Sequence, residues 1–175
     1  MSIKNQFITW SLKRKQKQLK RTIRFLNLKQ VKTAGILWKS DDAKAFKQLN
    51  EQLNELGISV SNLCFSNQPG SVGGEVFFCP EDFSLFGKIK KPEIGRFIDQ
   101  PFDLLLDISL CPGIEMQYLR CLSRARFKAG WSHAEPNYFD LSIDIQDRKD
   151  PSYLAEQLIF YLNELNKPSL VKQEV

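Results

Sequence analysis

Cys111 and His133 are the residues of this 175-residue chain whose types suit nucleophilic chemistry. Both lie in one stretch, FDLLLDISLCPGIEMQYLRCLSRARFKAGWSH, residues 102–133, and His133 is the only histidine. A thiol activated by a neighbouring imidazole is a recognised nucleophile and base pair. Gly113 opens a predicted helix whose free N–H groups could hold an anion and lower the pKa of the Cys111 thiol. Ser40, Ser109, Gly113 and Ser132 would then line a ligand crevice at the carboxyl edge of a sheet. The plainer reading is that semi-buried cysteines are usually inert and that His133 sits on an exposed loop. Asp107 is a sharper signal, because a carboxylate in so apolar a strand needs a partner. Arg126, Lys128 or a backbone amide can supply it, and a structural ion pair is the favoured explanation.

No complete catalytic constellation accompanies these residues, and the reading leans away from an enzyme. GSVGG (70–74) is neither GxGxxG nor GxxxxGK[ST], and it follows a strand instead of opening a helix. A hairpin or flexible loop accounts for it. Ser132 has no GxSxG elbow. Glu81, Asp82, Glu93 and Asp99 show no paired spacing suited to acid–base work. Cys64, Cys79, Cys111 and Cys121 lack CxxC spacing, which with one histidine argues against zinc. No metal or cofactor is expected. No disulfide framework, signal peptide or membrane-spanning apolar run is visible, so a soluble, cytoplasmic protein is the default expectation.

The elements that must position these residues follow from apolar periodicity. TAGILWKS (33–40) reads as a buried strand. Ser40 or Asp41 caps a helix carrying Ala43, Phe46, Leu49, Leu53 and Leu56, and Gly57 stops it. ISVSNLCFS (58–66) alternates as a strand, so the three form a right-handed βαβ unit. EVFFC (75–79) is a short strand, and a short helix covers 92–98. FDLLLDIS (102–109) is apolar throughout, as a central strand buried on both faces should be. A helix over 113–124 and a strand over 126–131 follow. YFDLSIDIQ (138–146) alternates cleanly, with Asp140, Ser142 and Asp144 on a wet face. Six residues join it to the preceding strand. A parallel crossover needs a dozen or more, so an antiparallel edge hairpin, 126–131 with 138–146, is predicted. Asp150 caps and Pro151 starts the closing helix, with Leu154, Leu158, Tyr161, Leu162 and Leu165 inward.

Charge is segregated along the chain. Residues 1–32 hold ten of the 25 basic residues and no acid. The remaining 15 basic against 20 acidic residues give 33–175 a net charge of −5. Residues 5–28 lack Gly and Pro and predict a helix. Ile8, Leu12, Leu19, Ile23 and Leu26 form a broken apolar stripe, and Lys13, Lys17, Lys20 and Arg24 a basic one. The expected organisation is a basic amphipathic N-terminal helix (1–32), a single Rossmann-like three-layer α/β domain with a mostly parallel sheet (33–166), and a frayed tail (167–175).

Residues 102–131 resemble the strand–helix–strand segment in the N-terminal half of heptosyltransferase-type GT-B glycosyltransferases. The matching positions are Asp107, Ala125, Arg126, Gly130 and Trp131. That resemblance implies a Rossmann-like fold. It does not imply autonomous glycosyl transfer, because a GT-B enzyme needs a second such domain and this chain has no room for one. Over most of its length the chain resembles an uncharacterised family of short bacterial proteins. That family combines a Lys/Arg-rich N-terminal helix with FDLLLDIS, LSRARFKAGW and YFDLSIDI, which implies fold and lineage only.

Two functions follow as expectations. In the first, Lys13, Arg14, Lys17, Lys20, Arg21 and Arg24 dock on a polyanion, RNA or the ribosome, with salt-sensitive binding. An anionic membrane surface suits the same pattern. Against this stands a helix that only covers the sheet with its apolar stripe and leaves a solvated basic face. In the second, the chain is a small enzyme or glycosyltransferase-like half-domain holding an anionic ligand at the sheet's carboxyl edge. The exposed edge strand at 138–146 also offers a route to a homodimer.

Overall fold

A computed structural model describes residues 10, 12, 14, 21–24, 27–67, 76–84, 88–111, 113–131, 136–145 and 148–165. Six strands form one sheet: β1 (Thr33–Lys39), β2 (Ser59–Phe65), β3 (Phe77–Phe78), β4 (Leu104–Asp107), β5 (Phe127–Gly130) and β6 (Leu141–Ser142). Their spatial order is β3-β2-β1-β4-β5-β6. Every neighbouring pair is parallel. The order reverses direction between β1 and β4, which places the topological switch point there. Among the described residues, four helices have defined bounds: α1 (Ala43–Glu55), α2 (Pro92–Asp99), α3 (Ile114–Leu122) and α4 (Pro151–Glu164).

Period-two alternation divides the strands between two cores. Ala34, Ile36 and Trp38 of β1, with Leu104 and Leu106 of β4, face Leu49 and Leu53 of α1 and Leu154 and Leu158 of α4. Leu37 and Leu105 point the other way, toward Ile94 and Phe97 of α2 and Met116 and Leu119 of α3. This gives three layers with both sheet faces covered, and it explains why β4 reads as an uninterrupted apolar run. By the same alternation Asp107 and Lys128 point to the α3 side. Trp38 stacks on Phe46 at 4.3 Å while its indole N–H donates to Asn62 Oδ1.

The helix ends follow from their terminal residues. A 3-10 turn at Ser40–Asp42 precedes α1, so Asp42, not Ser40 or Asp41, occupies the cap position, and its side chain makes no capping bond. Gly57 has φ +75°, with Gly57 N donating to Asn54 O and Ile58 N to Leu53 O. That pair of bonds is the Schellman termination, for which glycine is the favoured residue. Asp150 accepts from Tyr153 N and Pro151 occupies the first helical turn.

Three expectations are corrected. The predicted hairpin of 126–131 with 138–146 is absent, because β5 and β6 are parallel, with Ala129 opposite Leu141 and Gly130 opposite Ser142. The chain between Gly130 and Leu141 returns without a helix among its described residues. β6 is only two residues long, so that segment has to run back only a short way along β5. The regular strand therefore does not extend over 138–146, although Ile143 and Ile145 stay buried as the alternation requires. Second, β3 pairs with β2 in parallel, Cys64 opposite Phe77, which excludes a tight hairpin between them. The GSVGG loop itself lies outside the described residues. Third, the N-terminal helix does not continue to residue 28. Trp10, Leu12 and Arg14 are helical, but residues 21–24 are not. There Arg24 N donates to Arg126 O, so that backbone is engaged with the sheet's end instead of an i−4 carbonyl. Most of residues 1–20, and 166–175, lie outside the described residues.

Candidate functional site

The carboxyl ends of β1 and β4 lie side by side at the switch point, where the sequence predicts a ligand crevice. Lys39 and the Ser40–Asp42 turn leave β1 there, and Ser109 to Gly113 leave β4. Lys39 Nζ pairs with Asp41 Oδ2 at 2.5 Å on the exposed lip. Asp42 lies lower, and burial pushes its carboxyl up to about 6; Lys39 opposes that shift, and Asp41 and Asp150 add to it.

Below the lip the side chains are tied to one another. Asp107 and Arg120 form an ion pair at 2.5 Å, with only 1% and 3% of their side chains exposed. Asp107 Oδ1 also accepts from the Ser109 N–H at 2.9 Å and the Ser109 hydroxyl at 2.6 Å. Arg120 Nη2 donates to Cys111 O at 2.7 Å, and its guanidinium lies 5.4 Å from the Phe139 ring centroid. A buried pair of this kind gains little net stability, because desolvating both ions offsets their attraction. Its effect is positional: it holds the β4 exit, where Leu110 takes φ +47°. A non-glycine residue there is strained and has to be held by its surroundings.

The predicted site residues fare differently. Ser109 is buried and its hydroxyl is committed to Asp107. Ser40 stands on the lip, half-buried. Cys111 is half-buried, and its sulfur would lie 3.4 Å from a Cβ built on Gly113, so the thiol folds over that turn. Gly113 precedes α3 without a side-chain capping bond, and Glu115 sits buried in the first turn. That carboxylate already places negative charge beside the helix N-terminus. Ser132 and His133 lie outside the described residues. Among the described residues no group of three or more His, Cys, Asp or Glu side chains could hold a metal ion. None of their helices is long and apolar enough to cross a membrane.

Besides the Arg24 backbone bond, two described side chains of residues 1–24 tie the basic segment to the body. Leu12 is 1% exposed and packs with the α2–α3 core. Arg21 clamps Asp140 through Nη1 at 2.7 Å and Nη2 at 2.5 Å, and Nη1 also donates to Ala125 O. Trp10 and Arg14 are exposed, with the Arg14 guanidinium 5.9 Å from the Trp10 ring centroid. Arg24 is exposed as well, while Lys13, Lys17 and Lys20 lie outside the described residues.

The sequence reading missed Arg120 as the partner of Asp107. The available signal was spacing: residue 120 lies one turn beyond Met116 and so shares its inward side. It also missed Asp140, which alternation puts on a wet face until Arg21 covers it.

A protein-family model described as "Family of unknown function (DUF6913)" matches residues 4–165. No curated protein shows a significant match to the chain. Neither comparison shows the likeness of residues 102–131 to heptosyltransferase-type enzymes.

Proposed function

The chain belongs to this family of unknown function, which assigns no activity, and we propose from its own residues that it is a non-catalytic binding protein whose basic N-terminal segment docks on RNA. One observation carries this reading. Leu12 is 1% exposed against the body while Trp10, two residues away, is 63% exposed beside Arg14. Leu12 of the apolar stripe is committed to the core, although Ile23 is exposed, and an aromatic–cation pair is left in solvent. Such pairs stack on bases, and neighbouring Lys and Arg neutralise phosphates. A bilayer would need the apolar stripe instead, and Leu12 is not free to supply it. Four free cysteines suit the reducing cytoplasm, where RNA is met.

A small anionic ligand at the crevice is the second reading, supported by the strained Leu110 at the β4 exit. It ranks lower because Glu115 occupies the first turn of α3 and Ser109 is turned inward. Self-pairing through residues 138–146 ranks lower still, since regular strand there covers only Leu141–Ser142.

The test is fluorescence anisotropy of a labelled single-stranded RNA with the full chain and with a Lys13, Arg14, Lys17, Lys20→Gln variant. Arg21 is left in place because it anchors the segment. The variant is expected to bind at least ten-fold more weakly at low salt. Its log–log salt slope should be shallower by about 0.7 for each phosphate it no longer neutralises. Trp10→Ala should weaken binding by roughly 1–3 kcal/mol. Equal binding by both proteins would place any RNA site elsewhere. Binding to anionic vesicles with none to RNA would favour the membrane instead.

A further inference from the structure

A cavity lies where Arg21 of the basic segment meets Lys128 and Asp140 of the body. Its volume is about 290 Å³, and Arg21, Lys128, Cys121, Tyr138 and Asp140 line it. Lys128 is the unusual member. It sits on β5 and points toward α3, and the residue is 2% exposed. Its Nζ donates to Arg120 O at 2.5 Å and Cys121 O at 3.2 Å, two carbonyls in the last turn of α3. Among the described residues no carboxylate pairs with its amine: Asp140 is clamped by Arg21 and takes from Lys128 the backbone N–H alone. Burial, reinforced by the Arg21 charge, pushes the amine down to about 7, against weaker opposing effects of Cys121 and Asp140. Burial likewise pushes the Tyr138 hydroxyl up to about 12, so it remains a neutral hydrogen-bonding group at the cavity.

Capping α3 explains why a cation would be placed here. It does not explain a cavity lined by a lysine whose amine burial shifts toward the neutral form. A neutral amine that gives both hydrogens to carbonyls has its lone pair as its one unused valence. A lysine desolvated in this way is the usual form of a Schiff-base nucleophile.

We infer that this cavity is a small-molecule site in which Lys128 condenses with the carbonyl group of an aldehyde or ketone. The amine nitrogen attacks the carbonyl carbon and a C–N bond forms. Both amine hydrogens leave with the carbonyl oxygen as water, giving an imine. The step is redox-neutral and needs no co-reactant. The groups facing Lys128 are Arg21 from the N-terminal segment, Cys121 from α3, and Tyr138 and Asp140 from the β5–β6 connection. The cavity's volume suits a compact ligand. The inference is independent of RNA binding, since it uses none of the exposed basic residues.

Reductive trapping tests it. The full chain is treated with benzaldehyde and cyanoborohydride at pH 7, and benzylated lysines are mapped by mass spectrometry. Lys128 is expected to label at least ten-fold faster than the exposed Lys44 and Lys47, with a rate that saturates in benzaldehyde and rises with pH through a midpoint near 7. Labelling of Lys128 no faster than Lys44 and Lys47 would overturn the inference. A rate strictly linear in benzaldehyde would also overturn it, because it would show a reactive amine without a site. Arg21→Gln provides a second readout. Removing that cation should move the Lys128 midpoint upward, and an unchanged midpoint would count against the cavity as described.

Discussion

At the scale of single residues, burial of charge dominates this protein's chemistry. Asp107 keeps a partner because Arg120 is brought to it, whereas burial and the Arg21 charge push Lys128, bonded only to carbonyls, toward neutrality. Asp42 is the carboxylate counterpart. Its folded-state pKa is raised to about 6, so the folded state favours the protonated form. The stability this confers is present below the ordinary carboxylate range and is lost as pH rises through about 6. Because the group is half exposed, solvent screening limits the effect to about 1 kcal/mol. Asp42→Asn should therefore stabilise the protein by about 1 kcal/mol at pH 8 and leave it unchanged near pH 3, measured by urea unfolding. Loss of stability at pH 8 would mean that the ionised carboxylate makes a favourable contact.

At the scale of elements, the β5–β6 connection is the least conventional part of the fold. It returns the chain in parallel, and side-chain contacts add to the one backbone bond from Asp140 N to Lys128 O in holding its described residues. Phe139 lies over Gly130 so closely that a Cβ there would come within 2.6 Å of the ring and 3.0 Å of Asp107 O. The same ring meets Arg120, and Asp140 on the same connection meets Arg21. Gly130→Ala is thus an overpacking substitution expected to cost about 1–3 kcal/mol in thermal or chemical unfolding. Phe139→Leu in the Gly130→Ala background should recover part of that loss, since the two sites touch and couple. Additive losses would show that the connection does not depend on this packing.

At the scale of the whole molecule, described residues among the first 32 pack into the fold. Leu12, Leu28 and Val31 are buried, in different cores, and Asn27 Nδ2 donates to Leu165 O at the end of α4. Each buried leucine is worth about 1.5–3 kcal/mol, against a total stability of roughly 5–15 kcal/mol for a domain. A chain shortened to 33–175 should therefore unfold at markedly lower urea than the full chain, or fail to unfold cooperatively; an unchanged midpoint would make the segment a mere appendage. Periodicity and punctuation made the α/β class, the central β4, the closing α4 and the glycine stop at Gly57 readable from sequence, because these depend on residues close along the chain. The need of Asp107 for a partner was readable for the same reason, since an apolar strand makes a carboxylate conspicuous. The identity of that partner was not, because Arg120 lies across a helix turn and only packing decides which cation faces the strand. Nor could spacing show that β6 runs parallel, that Arg21 turns inward to Asp140, or that Lys128 ends on carbonyls instead of a carboxylate. Those outcomes depend on which elements become neighbours, and tertiary structure alone decides how distant charges meet.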